Sequence, residues 1–477
     1  MRIDVLPDDV LLEVFCFYLD IGLYRLFKDK KETEKWQVLV HVCRRWRNLV
    51  FRSPRRLNLR LVCTPQTPAK DRLDIWPTFP LIVHGDVGSV SAVDNVVTAL
   101  GQSNRICLVL LELFEGCQSE MVLPAMQVSF PELTHLRLHS YGATPPVIPD
   151  SFLDGSAPRL QHLQLGGTPF PGLPKLLPSA TQLVDLHLYG IPHSGYISPK
   201  EMFASLTVLS SLKHLTLEFQ SPQSRPDWEN QSLPPPKRFV LPALSILYFK
   251  GITEYMEELA ACIDAPQLNQ MTIILFNQID FDFPRLAQFI NITPTPWASN
   301  EARLRFNNSI ADVILRCPTS KNRPRVLEIR IICEEPDWQL SAIEQVCNSS
   351  LPTFSTVEHL HIEHEISYRV SKDEVIENSL WLEVLFPFTA VRNLYVYEKL
   401  APGIAAALQE LVGGRMTEVL PSLQEIFLVG LAESRSMQEN IRQFAAARQL
   451  SDHPIVISEW DGFSDVHWDE FSDIDWM

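Results

Sequence analysis

The sequence predicts an α/β fold in which a small N-terminal helical segment precedes an irregular repeat solenoid with a parallel, concave sheet. Three observations predict it. Residues 6–50 hold two short amphipathic helical patterns. From residue 57 onward strand-like and helix-like patterns alternate, as parallel strands with helical crossovers require. From residue 130 a frame of three apolar anchors, L-x-x-L-x-L, recurs almost to the end of the chain.

In the first helical pattern Pro7 suits the opening position of a helix, where a missing N–H costs nothing, and Asp8 and Asp9 favour its positive end. Its apolar residues Val10, Leu11, Val14, Phe15 and Tyr18 fall at three-and-four spacing. In the second pattern Trp36, Leu39, Val40, Cys43, Trp46 and Val50 do the same, with Arg44, Arg45 and Arg47 between them. About 50 residues are too few to bury both stripes, so other residues or another protein must cover them. The charged stretch KDKKETEK between the patterns reads as a solvated loop.

These residues resemble the F-box motif, the adaptor-binding segment of substrate receptors of cullin-RING ubiquitin ligases. The resemblance is carried by Leu6-Pro7, Asp9-Val10-Leu11, Val14-Phe15 and Leu19, then by Val42-Cys43-Arg44-Arg45-Trp46 and Leu49. The 28 positions from Phe15 to Cys43 exceed the usual spacing, the excess lying in Asp20 to Lys35. The resemblance implies an adaptor contact through Leu6, Pro7, Val10, Leu11, Val14, Phe15, Cys43 and Trp46.

Next, Leu57, Leu59 and Leu61 alternate with polar residues as a half-buried strand does. PLIVH and RICLVLLEL read as further strands around a helix, SAVDNVVTAL. The repeat proper has first anchors at Leu133, Leu160, Leu183, Leu212, Leu244, Leu268, Val357, Val391 and Leu423, spaced 23 to 34 residues apart where neighbours are clear. Between Leu268 and Val357 the frame blurs, with EARLRF and RVLEIRI as the expected strands. The signature is that of leucine-rich repeats, in which stacked units build one continuous core. Helical patterns lie between the strands, and SRSMQENIRQFAAARQL with PIVIS closes the end.

Side chains alternate along a strand, so the residues just before the second and third anchors face away from the helices. They include His135, Arg137, His162, Gln164, Asp185, His187, His214, Thr216, Tyr248, Glu328, Arg330, His359, His361, Asn393, Tyr395, Glu425 and Phe427. A polar face with aromatics suits protein binding. His135, Arg137, His162, Gln164, His187, His214, Tyr248, Arg330, His359, His361 and Tyr395 are the expected target contacts.

With 41 basic and 57 acidic residues the net charge is −16, which argues against wrapping nucleic acid. The basic run Arg44 to Arg60 reads as a helix face and linker. No apolar run is long enough for a membrane helix and none has signal-peptide form, which points to the cytoplasm or nucleus. Nine scattered cysteines fit buried thiols in a reducing compartment. His359, His361 and Glu363 share a strand face in a metal-like pattern, but no fourth ligand is identifiable, so neither a metal nor another cofactor is expected. No catalytic motif is present, so the chain reads as a non-enzyme.

The expected domains are therefore 1–55, F-box-like; 56–457, repeat solenoid with a C-terminal cap; and 458–477, an acidic aromatic tail expected to be disordered alone, with the tandem WDGFSDVH and WDEFSDID. With the resemblance covering nearly the whole chain, it is similar to the large F-box families of fungi. That implies a Skp-type adaptor, through it a cullin-RING scaffold, and a target protein held by the repeats. A ligase-independent binding scaffold is the alternative.

Overall fold

The structure is a computed structural model that describes residues 6–19, 34–114, 119–142, 144–222, 238–277, 281, 283–292, 299–317, 325–349, 354–364, 378–397, 400–412, 415, 417–429, 435–450 and 453–460. The chain forms two compact units, 1–228 with 239–244, and 229–238 with 245–477. The N-terminal helices belong to the first unit together with the first strands. Of the tail expected to be disordered from residue 458, residues 458–460 instead end the last strand, and 461–477 lie outside the described residues, as does most of the charged insert, 20–33.

The first unit opens with helices α1 (Asp8–Leu19), α2 (Trp36–Val42) and α3 (Arg44–Arg52). Strands β1 (Leu61–Cys63), β2 (Leu81–Val87), β3 (Ile106–Phe114), β4 (His135–Tyr141), β5 (His162–Gly166), β6 (Asp185–Ile191) and β7 (His214–Phe219) follow. They lie side by side in chain order, and every pairing is parallel. Between them run α4 (Ala69–Ile75), α5 (Val90–Leu100), α6 (Ser119–Ala125), α7 (Leu173–Leu176) and α8 (Pro199–Leu206). Ser198 caps α8 in a reciprocal box with Glu201, so its start is written locally. The alternation at Leu57 and Leu59 does not become strand; both leucines are buried in the turns that lead into the short β1.

The anchors behave alike in both units. All nine first anchors are buried. In each repeat the anchor's N–H donates to the carbonyl three residues back: Leu133 to Phe130, Leu160 to Ala157, Leu183 to Ala180, Leu268 to Ala265, Val391 to Phe388. Those upstream residues are themselves apolar and buried. One tight turn therefore seats two apolar side chains in the core before the strand begins, and each strand adds its second and third anchors, such as Leu136 and Leu138.

The second unit holds β8 (Ile246–Gly251), β9 (Gln270–Phe276), β10 (Glu301–Phe306), β11 (Ile310–Cys317), β12 (Arg325–Ile332), β13 (His359–His364), β14 (Asn393–Tyr397), β15 (Glu425–Val429) and β16 (Val456–Trp460). Its helices are α9 (Thr253–Cys262), α10 (Pro284–Ile292), α11 (Pro336–Asn348), α12 (Asn378–Leu385), α13 (Ala401–Glu410) and α14 (Arg435–Leu450). Here the wholly parallel sheet needs correcting. The spatial order runs β8, β9, β12, β11, β10, β13 and on to β16, with β11 antiparallel to both neighbours. EARLRF and RVLEIRI are strands as expected, but they stand in reversed order around an unforeseen third strand.

The cause is local. Asn307 Oδ1 accepts the N–H groups of Ser309 and Ile310 at 3.0 and 2.8 Å, closing a turn too short for a crossover helix. The chain folds straight back, and after a second reversal β12 takes the place beside β9 that the next repeat strand would have occupied. β10 then pairs in parallel with β13, so the repeat resumes.

Candidate functional site

On α1, apolar residues occupy more than one side. Leu11, Leu12 and Phe15 are buried, Phe15 packing edge-on against Trp46 with ring centroids 4.7 Å apart. Val10, Val14, Phe17 and Tyr18 remain exposed, at 43%, 46%, 80% and 44%. Their spacing of four, three and one is that of a second helix face. On α2, Trp36, Leu39 and Val40 are buried while Val38 and Val42 are exposed.

The chain supplies its own cover for the inner faces. Trp36 is ringed by Phe51, Trp76 and Phe79, and its indole N–H donates to the Arg60 carbonyl at 2.9 Å. Arg45 ties α3 to Asp8 at 2.7 Å, and Arg56 pairs with Glu13. Cys43, exposed, takes the N-cap of α3 and accepts from Trp46 N–H.

Of the expected adaptor contacts, Pro7, Val10, Val14 and Cys43 are exposed, and Leu6 and Trp46 are half-buried. Leu11 and Phe15, also expected at the adaptor, are buried within the unit, Phe15 against Trp46. Phe17 and Val38 were missed. The signal was available in α1, whose apolar residues outnumber what one stripe can hold.

The open face of the first sheet brings its expected residues into rows. His135, His162, Asp185 and His214 are in register on β4 to β7, and Arg137, Gln164, His187 and Thr216 form the next row. The rings of His135 and His162 stack at 4.2 Å. His162 and His214 both pair through Nδ1 with Asp185, His214 at 2.5 Å. Burial would raise the Asp185 carboxyl, but the flanking imidazoles outweigh it and hold it well below the usual range. Burial brings His135 and His187 down to about 4, so both imidazoles are neutral near pH 7. His187 Nδ1 lies 2.8 Å from Thr216 Oγ1, and Arg137 pairs with Glu112 at 3.4 Å.

The second unit's open face has one row running Tyr248, Thr272, Glu328, Ile314, Arg303, His361, Tyr395, Phe427, Ser458. Around it lies an ionic network. Arg305 meets Asp312 at 2.6 Å, Arg330 donates to Glu328 at 2.6 Å and approaches Asp312, and Arg303 meets Glu363 at 3.1 Å. Asp312 is fully buried beneath these guanidinium groups.

Two expected contacts are redirected here. Arg330 holds Glu328 in place, and His361 is buried, its ring flat against Tyr395 at 4.1 Å with Arg303 in register on its other side. Burial, then the Arg303 charge, lowers His361 to about 3. In the metal-like trio, His359 faces the Asn393 amide at 3.1 Å, His361 lies 3.6 Å from Glu301, and Glu363 pairs with Arg303. Among the described residues no cluster of three or more His, Cys, Asp or Glu is arranged to hold a metal ion. No described cysteine is in a disulfide, and no described helix is long and apolar enough to cross a membrane.

No protein-family model matches the sequence, and none of the curated proteins matches it. Among solved structures, the leucine-rich repeat-containing protein LegL7 from Legionella pneumophila is similar over 81% of this chain and 98% of its own, at 12% identity and a TM-score of 0.27. The repeat architecture of this chain rests on its own anchors and strand register.

Proposed function

We propose that this protein is a receptor subunit without catalytic activity of its own. In this reading the N-terminal helices dock a Skp-type adaptor as an F-box does, the adaptor joins a cullin-RING scaffold, and the open sheet faces hold a target protein. The ubiquitin-transfer chemistry belongs to the other subunits. The receptor raises the effective concentration of target lysines near the charged carrier enzyme. The setting is the cytoplasm or nucleus, in keeping with described cysteines that form no disulfide.

One observation carries the reading: α1 is apolar on two sides, one packed by this chain and the other, Val10, Val14, Phe17 and Tyr18, bare. A helix apolar on more than one side needs a partner on each, and removing such surface from water yields roughly 25 cal/mol per Å². A short helix inserted in a partner's apolar groove meets that need.

Co-expression with a Skp-type adaptor and a cullin tests it. Adaptor and cullin should co-elute with the wild-type chain, and Val14→Asp with Phe17→Asp should abolish both while leaving thermal unfolding unchanged. Unaltered co-elution, or no complex with the wild type, refutes the adaptor assignment. Adaptor without cullin favours a ligase-independent scaffold.

A further inference from the structure

In the central row of the second unit's open face, three consecutive strands, β13, β14 and β15, supply one ring each, and the next strand supplies none. His361 and Tyr395 have centroids 4.1 Å apart with planes at 2°, and Tyr395 and Phe427 lie 4.5 Å apart at 8°. These separations follow the spacing of neighbouring strands, so the stack grows by one ring per strand. On β16 the position in register with Phe427 is Ser458, which has no ring. Phe427 stacks on one side with Tyr395, and its far side faces the strand where the serine stands.

Charge defines what belongs there. The Ser458 hydroxyl donates to Glu425 Oε1 at 2.5 Å, holding that carboxylate beside the stack in the adjoining row, opposite the exposed Val456. The field of Glu425 reaches the stack, adding to burial in raising the Tyr395 phenol. A ring face is electrically negative and the carboxylate is an anion, so both favour a cation, and a flat one can touch both at once. Guanidinium is planar, stacks on rings and pairs with carboxylates, whereas ammonium is a hydrated point charge. The net charge of −16 attracts a basic partner to the surface as a whole.

We infer that the Phe427–Ser458 position is a recognition subsite for an arginine side chain of a partner protein, stacked on Phe427 and paired with Glu425. It rests on the reading that this open face holds a target protein, and it gives that target its chemistry: an arginine-bearing segment.

Panning a displayed random-peptide library on the full chain at physiological salt, with dissociation constants measured on the recovered peptides, tests it. Arginine should be enriched, and binding should weaken about tenfold in Phe427→Ala and in Glu425→Gln. Ser458→Tyr, which sets a ring in the vacant place, should block binding while raising the melting temperature. Basic peptides that bind Phe427→Ala and Ser458→Tyr as tightly as the wild type respond to net charge alone and overturn the subsite. Peptides without arginine that depend on Tyr248→Ala or His187→Ala but not on Phe427→Ala overturn it while the open-face reading stands. Insensitivity to all these variants overturns both.

Discussion

Nδ1 of His214 lies 2.5 Å from Asp185 Oδ1, while His162 meets the other carboxylate oxygen from the opposite strand. One carboxylate on β6 therefore bridges β5 and β7 across the open face.

Asp185→Asn removes the charge but not the shape. Because the folded-state carboxyl is held below its ordinary value, its contribution is present above the unfolded value near 3.8 and is lost as pH falls through the folded one. The variant should be about 1–3 kcal/mol less stable at pH 7. Urea titrations should show that gap closing in strong acid; a gap that does not change with pH contradicts the assignment.

On α1, adjacent positions should respond in opposite ways. Phe15→Ala removes a buried ring packed on Trp46 and should cost about 3–5 kcal/mol. Val14→Asp, on the bare side, should stay within about 0.5 kcal/mol of wild type. Denaturant midpoints of the two variants, compared without any partner present, decide this.

His361 should make stability fall in mild acid. The unfolded imidazole takes up a proton near 6.5 and the folded one only at about 3, so the stability it confers is full above 6.5 and drains away as pH falls between the two. Glu301, 3.6 Å away and raised by burial, works in the opposite sense at lower pH. The comparison is therefore wild type against His361→Gln, Glu301 being common to both. The variant's stability curve should be flatter between pH 6.5 and 5, by up to about 1.4 kcal/mol per pH unit.

Near the end of the second unit, the buried Arg448 donates to the carbonyls of Leu420, at 3.2 Å, and of Pro421 and Leu423. It thereby fastens α14 to a turn in which Leu420 adopts a φ of +49°. Arg448→Met should cost about 2–4 kcal/mol by leaving those acceptors without a donor, and Arg448→Lys should recover less than half, since all three bonds run from the one nitrogen Nη2, which the planar guanidinium holds in place and a flexible, strongly hydrated ammonium does not. Chemical denaturation of the three proteins measures both.

The repeat strands were legible because each anchor, from Leu133 to Leu423, is local and periodic, and a core built by stacking needs little else. β11 was not, because the run from Ala311 to Leu315, interrupted by Asp312, lacks the anchor frame and its pairing is decided by the Asn307 turn. The open-face residues were legible by alternation alone. What they touch was not: Arg330, read as a contact, holds Glu328, a relation that depends on both side chains converging.

By itself the sequence determined that this chain is a stack of strand-and-helix repeats behind a pair of apolar helices, since hydrophobic period is a property of neighbours in the chain. Which side of α1 is bare, which histidines are buried, and where the row of rings stops at Ser458 were decided only by tertiary structure. Period fixes which residues share a face; cover depends on residues tens of positions away, such as Trp46 against Phe15, and no local pattern encodes that distance.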